Sequence, residues 1–294
     1  CITKAYYQRL SRSRLLTSTL YYVNYAGLER DVFYYLFLTS RNMAQNLEDK
    51  VVVVTGGADG IGLEIVKHYS AKKTKVVIIL DINEQKGEEA AKNINSKYGD
   101  GKVEFIKCDV TKDIDEVTQK ILDKYKYIDV LVNNAGIVAE HSVKISVDIN
   151  ITALMELSMK YWNLMRTDKG GKGGTIINIS SIYGYRVNQY SPIYHGTKFA
   201  VLGFSKSLGH EYNFKRSAVR VLTICPGFTR TNLTKNAVPA EPDATLKDMQ
   251  EYVKAHDWQD PEDLGRGAVE VFEKADSGTV WLIEGARPAE EIDA

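Results

Sequence analysis

From Lys50 onward, short aliphatic runs alternate with polar-faced stretches of helical period, and this alternation leaves few folds open to the chain. The runs are VVVVT at 51–55, KVVIIL at 75–80, VEFIKC at 103–108, IDVLVN at 128–133, TIINIS at 175–180, AVRVLTIC at 218–225 and TVWLI at 279–283. Most are near-continuous in apolar residues instead of alternating, which marks strands buried on both faces. Between the first four lie IGLEIVKHYSAK, EEAAKNINSKY and IDEVTQKILDKY, which read as helices. Strands covered on both faces and joined by helices make a parallel sheet, and right-handed crossovers wind it doubly about its middle. The sequence therefore predicts an α/β fold: one doubly wound parallel sheet of about seven strands, helices on both faces, with ligands outside the carboxyl ends of the strands.

No linker or internal repeat divides residues 43–294, so they are expected to form one domain. Residues 1–42 stand apart as an N-terminal extension, rich in tyrosine and free of acidic residues before Glu29. An acid-poor leader containing Arg and Ser fits a mitochondrial transit peptide. Sequence upstream of a start at Met43 fits as well, and the lack of a sustained basic amphipathic period in TLYYVNYAG and DVFYYLFLT favours it. A cytoplasmic location is the expectation, mitochondrial if the extension is a true leader. With 38 basic and 38 acidic residues the chain has no net charge to draw it to nucleic acid. No apolar run is long enough for a membrane span. Cys1, Cys108 and Cys225 lie far apart without CxxC spacing, which points to neither a disulfide framework nor a metal site.

TGGADGIG at 55–62 falls between the first strand and first helix. Glycines there permit positive φ and let backbone N–H groups approach a pyrophosphate at a helix N-terminus, the Rossmann arrangement. A tight connection between strand and helix is the plainer reading of the same glycines. Asp81 ends the second strand, 19 residues after Gly62. A carboxylate at that distance accepts ribose hydroxyls of NAD and repels the 2′-phosphate of NADP. It could equally cap the next helix. No basic residue directly follows Asp81, which favours NAD.

Tyr194 and Lys198, four apart on an expected helix, project from one face. An ammonium beside a phenol favours the phenolate, so such a tyrosine can act as a base closer to neutrality than its ordinary pKa of ~10. Ser181 lies 13 residues earlier, at the carboxyl end of the fifth strand. Ser180 is its rival, and strand alternation lets only one of the two face a substrate.

These motifs, with NNAG at 133–136, Asn150 and PGFTRT at 226–231, resemble the short-chain dehydrogenase/reductase family in the order in which they occur. The resemblance covers 47–284. It implies Tyr194 as the acid/base, Ser181 hydrogen-bonding the reacting oxygen, Lys198 binding the nicotinamide ribose and lowering the Tyr194 pKa, and Asn150 holding a relay water. It favours Ser181 over Ser180. For the cofactor it implies Gly56, Gly60, Ile61 and Gly62 at the phosphates, Asp81 at the adenosine ribose, and Asp109 and Val110 at adenine. Asn133, with Ala135 and Gly136, would fix the neighbouring strands or contact the ribose. Thr229 and Thr231, after Pro226 and Gly227, would reach the carboxamide. Asp109 has a second reading, as the start of a turn before the Asp113 helix.

The short interval from Asn133 to Asn150, the SIYGY…SPIYHGTK stretch and the VWLIEGARP tail resemble insect-type alcohol dehydrogenases and NAD-dependent 15-hydroxyprostaglandin dehydrogenases. The expected function is NAD-dependent hydride transfer between nicotinamide and a small-molecule alcohol or carbonyl substrate, a secondary alcohol first and a primary one next. Prostanoid, steroid and isoprenoid alcohols are alternatives, and a non-catalytic NAD-binding or storage protein is the rival of another class. Residues 229–258 are expected to form a lid, with Tyr183, Tyr185, Val187 and Tyr190 as an apolar wall or as ordinary packing. The resemblance implies a homodimer or homotetramer through helices near 143–166 and 192–214, where Leu154, Leu157, Tyr161, Leu202 and Leu208 serve either interface or core.

Overall fold

The computed structural model describes residues 45–294, so the extension expected over 1–42 lies outside the described residues. The seven anticipated strands are β1 (Val51–Thr55), β2 (Val76–Asp81), β3 (Val103–Lys107), β4 (Val130–Asn133), β5 (Gly174–Ile179), β6 (Val219–Pro226) and β7 (Val280–Ile283). They form one parallel sheet in the order β3-β2-β1-β4-β5-β6-β7. An eighth strand, β8 (Glu290–Ile292), adds antiparallel to β7 with Val280 opposite Ile292. Sequence reading missed it because three residues with two exposed glutamates carry no apolar run.

Ten helices, α1 to α10, surround this sheet among the described residues. The first three are α1 (Gly60–Ser70), α2 (Glu84–Tyr98) and α3 (Ile114–Tyr125). A short α4 (Val143–Val147) runs through a π-helical turn at Asp148–Ala153 into α5 (Leu154–Met165). After β5 come α6 (Pro192–Leu208) and α7 (Glu211–Ser217), and after β6 come α8 (Asn232–Lys235), α9 (Pro242–Lys254) and α10 (Pro261–Lys274). No described helix is long and apolar enough to cross a membrane.

Alternate residues of each strand feed two cores. Val52 and Val54 pack with Ile65, Val66 and Tyr69 of α1 and with Leu264 and Phe272 of α10. Val51 and Val53 point the other way, among Val117 and Ile121 of α3 and Leu157 and Tyr161 of α5. Leu154, Leu157, Tyr161, Leu202 and Leu208 are all buried within the chain, so they serve its core. Strand order reverses between β1 and β4, which opens a crevice at their carboxyl ends.

One polar network runs through the apolar interior. Asn133 Nδ2 donates to Ser158 Oγ and to Asn178 Oδ1, both at 2.8 Å, and Asn178 Nδ2 donates to Ser205 Oγ at 2.9 Å. The two asparagines are register partners on β4 and β5, and the serines reach in from α5 and α6. Fully partnered polar groups of this kind fix helix positions over the sheet, and an unpartnered one is costly. Asn178→Ala is expected to lower stability by about 2–4 kcal/mol through the lost bonds and the void, measured as a lowered urea midpoint.

Candidate active site

The turn between β1 and α1 is closely built. Gly56 has φ of +63°, and a Cβ on Gly62 would stand 2.1 Å from the Gly56 carbonyl oxygen, so neither position admits a side chain at low cost. Asp59 Oδ1 accepts the Gly60 N–H at 2.8 Å and caps α1. Thr55 Oγ1 accepts the N–H groups of Asn134 at 3.0 Å and Ala135 at 3.1 Å, and Asn134 Nδ2 donates to the carbonyls of Thr55 and Gly56. The loop after β4 is therefore tied to the glycine turn. Sequence reading assigned no role to Thr55 or Asn134, although both lie inside motifs that it singled out.

Asp81 braces the same turn. Its Oδ2 accepts the Ala58 N–H at 3.0 Å and its Oδ1 the Asn83 N–H at 2.9 Å. The cap of α2 is Asn83, whose side chain accepts from Lys86 N–H, so the capping role considered for Asp81 belongs two residues on. Asp109 accepts both the N–H and the hydroxyl of Thr111, bonds that hold its carboxyl below the usual range. Its own N–H donates to Asp113 Oδ2 at 2.8 Å, so it does open the turn into α3. Val110 borders a small hollow with Thr55, Asn133 and Ala135. The side-chain amide of Asn133 itself is directed into the buried network between strands and helices.

Tyr194 and Lys198 face inward one turn apart on α6. Lys198 Nζ lies 5.6 Å from the centroid of the Tyr194 ring and donates to Ile179 O at 2.9 Å. Ser181 lies beside Tyr194, where its hydroxyl favours the phenolate, and accepts the Tyr183 N–H at 3.1 Å. Ser180 turns away and donates to the Lys198 carbonyl at 3.0 Å, so alternation at the end of β5 separates the two serines. Asn150 sits in the π-helical turn. Its Oδ1 accepts Ile137 N–H at 2.9 Å, and its Nδ2 donates to Ile137 O and to Thr197 Oγ1. A Cβ on Gly136 would stand 3.3 Å from Asn150 Oδ1 and 3.7 Å from Lys198 Nζ, which shows how these three positions converge.

Burial dominates the electrostatics. It pushes Tyr194 up to about 12, against a smaller lowering by the Ser181 hydrogen bond, and it pushes Lys198 down to about 8. The sequence argument expected the ammonium to favour the phenolate. Lys198 is buried and Tyr194 half-buried, and the neutral form of each loses less solvation there than the charged one.

The segment after β6 closes over the turn. Gly227 N–H, next to Pro226, donates to Ile283 O at 2.8 Å, and Thr229 Oγ1 donates to Gly227 O and accepts from Gln259 Nε2. Thr231 caps α8, and its methyl group would lie 3.3 Å from a Cβ on Gly60. Asn232 Nδ2 donates to Asp59 Oδ2 at 2.7 Å and joins this segment to the glycine turn. Between them opens a cleft of about 710 Å³ lined by Asp59, Gly60, Thr231, Asn232, Lys235 and Trp258. Glycines that admit no Cβ, a helix N-terminus and a carboxylate at the end of β2 together suit a dinucleotide.

An aromatic group adjoins this cleft and shares Trp258 with it. Tyr183 stacks on His195 at 4.4 Å and meets Phe228 edge-on, Phe228 lies against His256 and Trp258, and Tyr252 of α9 packs on His256 and Tyr190. Of the four expected wall residues only Tyr183 and Tyr190 take part. Tyr185 packs in a separate cluster with Leu202 and Cys225, and Val187 is 76% exposed. Sequence reading missed Phe228, Tyr252, His256 and Trp258, although the 252/256/258 spacing on and after a helix was a usable signal.

The short chain dehydrogenase family model matches residues 50–242. Alcohol dehydrogenase 1 of Ceratitis cosyra is 33% identical over 237 residues, covering 79% of this chain and 91% of the relative. The NAD(+) 15-hydroxyprostaglandin dehydrogenase of Rattus norvegicus is 30% identical over 234 residues, covering 78% and 88%. Among solved structures, levodione reductase superposes with a TM-score of 0.71 at 21% identity over 82% of this chain and 98% of its own, a likeness of fold. The chain belongs to the short-chain dehydrogenase/reductase family of oxidoreductases, in the branch that holds insect alcohol dehydrogenases and 15-hydroxyprostaglandin dehydrogenases.

Proposed function

We propose that this protein is an NAD-dependent dehydrogenase that moves a hydride between nicotinamide and the carbinol carbon of an apolar secondary alcohol, or of a primary one less readily. The observation that carries this reading is Tyr194, half-buried beside Ser181 and one helical turn from Lys198, next to a dinucleotide cradle. Nicotinamide supplies the hydride acceptor or donor. The chain's part is to move the proton and hold the reacting atoms. Tyr194 takes the hydroxyl proton in oxidation and returns it in reduction, Ser181 holds the reacting oxygen, and Lys198 holds the nicotinamide ribose. Asn150 places a water that connects Lys198 to solvent.

For the cofactor, Gly56, Gly60, Ile61 and Gly62 take the phosphates and Asp81 the adenosine ribose. Asp109 and Val110 flank adenine, Asn133, Ala135 and Gly136 line the floor, and Pro226, Gly227, Thr229 and Thr231 hold the carboxamide end. NAD is preferred because Asp81 offers a second phosphate only repulsion, and the Lys86 ammonium is paired with Asp59 at 2.5 Å. The aromatic group around Phe228 supports an apolar substrate. Met159 and Phe199, 38% and 43% exposed on α5 and α6, support a homodimer through those helices.

Three measurements test the reading. Tyr194→Phe should lower kcat for alcohol oxidation by about 10²–10⁴-fold while the calorimetric affinity for NAD stays within about threefold, and near-normal turnover would remove Tyr194 from this role. kcat/KM with NAD should exceed that with NADP by about tenfold or more, and Asp81→Asn should narrow the gap; each tenfold is ~1.4 kcal/mol. The third test concerns Lys198. Its folded pKa, about 8, lies below the ordinary lysine value of 10.5, so the stability linked to it is fully present above the unfolded pKa and is lost as pH falls through the folded one. Lys198→Met should therefore be more stable than the parent at pH 7, by about 1–3 kcal/mol, with the margin shrinking as pH rises toward 10. Thermal melts across that range, with activity lost throughout, provide the check.

A further inference from the structure

Glu140 is a buried carboxylate, 8% exposed, with no part in the proton chemistry above. It lies at the far end of the loop after β4 and makes no ion pair among the described residues. Its Oε1 accepts the N–H of Tyr194 at 2.8 Å and its Oε2 the N–H of Ile193 at 3.0 Å. Those donors belong to the first turn of the 17-residue α6, whose own N-cap residue, Ser191, makes no side-chain capping bond. The negative charge is matched by two N–H groups and by the positive end of the helix dipole.

The same loop makes further connections around the site. Ala135 N–H is held by Thr55 beside the glycine turn, and Ile137 exchanges two hydrogen bonds with Asn150. Ala139 O accepts the Ser146 hydroxyl at 2.9 Å. Glu140 then carries this rigid path to the backbone of Tyr194 itself. An ordinary cap drawn from Ser191 would stabilise α6 equally well but leave it unregistered against the loop. We propose that Glu140 is a positioning residue that sets the Tyr194 hydroxyl in register with the Gly136/Asn150 side of the site.

This inference rests on the reading of Tyr194 as the proton-transfer group, and its test separates positioning from helix capping. Glu140→Gln keeps one acceptor and loses the other, Glu140→Ala loses both, and Glu140→Ala/Ser191→Asp restores a cap without the tie to the loop. Two quantities are read well below each unfolding midpoint: kcat for cyclohexanol oxidation with NAD, and the ¹³Cζ resonance of Tyr194, identified by its loss in Tyr194→Phe. Misplacement of a reacting group by about 1 Å costs on the order of 10²-fold. Both single variants should therefore lose about 10–100-fold in kcat with KM for NAD within about threefold, and the resonance should move. The double variant should regain the midpoint and neither of the other two. Parent-like kcat and resonance in the single variants would overturn the proposal, as would their return together with the midpoint in the double variant. If Glu140→Ala does not fold, Glu140→Gln carries both readings. A parent inert toward cyclohexanol counts against the dehydrogenase reading alone, and the resonance, which needs no turnover, then decides the role of Glu140.

Discussion

The sheet is buried on both faces, and the rest of the structure follows from that constraint. A strand with helices above and below has no solvated side on which to display a polar group, so its interior is dominated by valine, leucine and isoleucine. Polar side chains then have two places left. They can be satisfied completely inside, as Asn133, Asn178, Ser158 and Ser205 are, or they can gather where the strands end. Thr55, Asp81, Asn134 and Ser181 all lie at or just past the carboxyl end of a strand. The site is thus a consequence of how the core was closed.

Burial also sets the chemistry. Loss of solvent around half-buried Tyr194 and buried Lys198 favours the neutral form of both, raising the tyrosine pKa and lowering the lysine's. The cost is stability, since a desolvated ammonium disfavours the folded chain at neutral pH. Local conflict of this kind between stability and arrangement is a mark of functional sites.

Position is supplied by short polar links between segments far apart in sequence. Thr55 meets Asn134 and Ala135, Ile137 meets Asn150, Glu140 meets Tyr194, and Asp59 meets Asn232. Each link ties a segment at or beyond the carboxyl end of a strand to a neighbouring turn, loop or helix. Together they hold the glycine turn, the π-helical turn and α6 as one frame, with Phe228, Tyr252 and Trp258 closing its apolar side.

The sequence by itself determined the alternation of strands and helices, the glycine turn and the order of the motifs, because apolar periodicity and Gly placement act locally along the chain. It favoured Ser181 over Ser180 by strand alternation joined to the family spacing; in the structure Ser180 donates to the Lys198 carbonyl while Ser181 accepts the Tyr183 N–H beside Tyr194. β8 was illegible, since Glu290–Ile292 becomes a strand only by pairing with β7. The cap of α2 fell to Asn83 where Asp81 also qualified, because Asp81 was drawn to the Ala58 N–H across the turn. The contacts of Asn134, Glu140 and Tyr252 are set by the tertiary structure alone. A hydrogen bond over tens of residues leaves no periodic trace, and neither does the loss of solvent that moves Tyr194 and Lys198 from their ordinary pKa values.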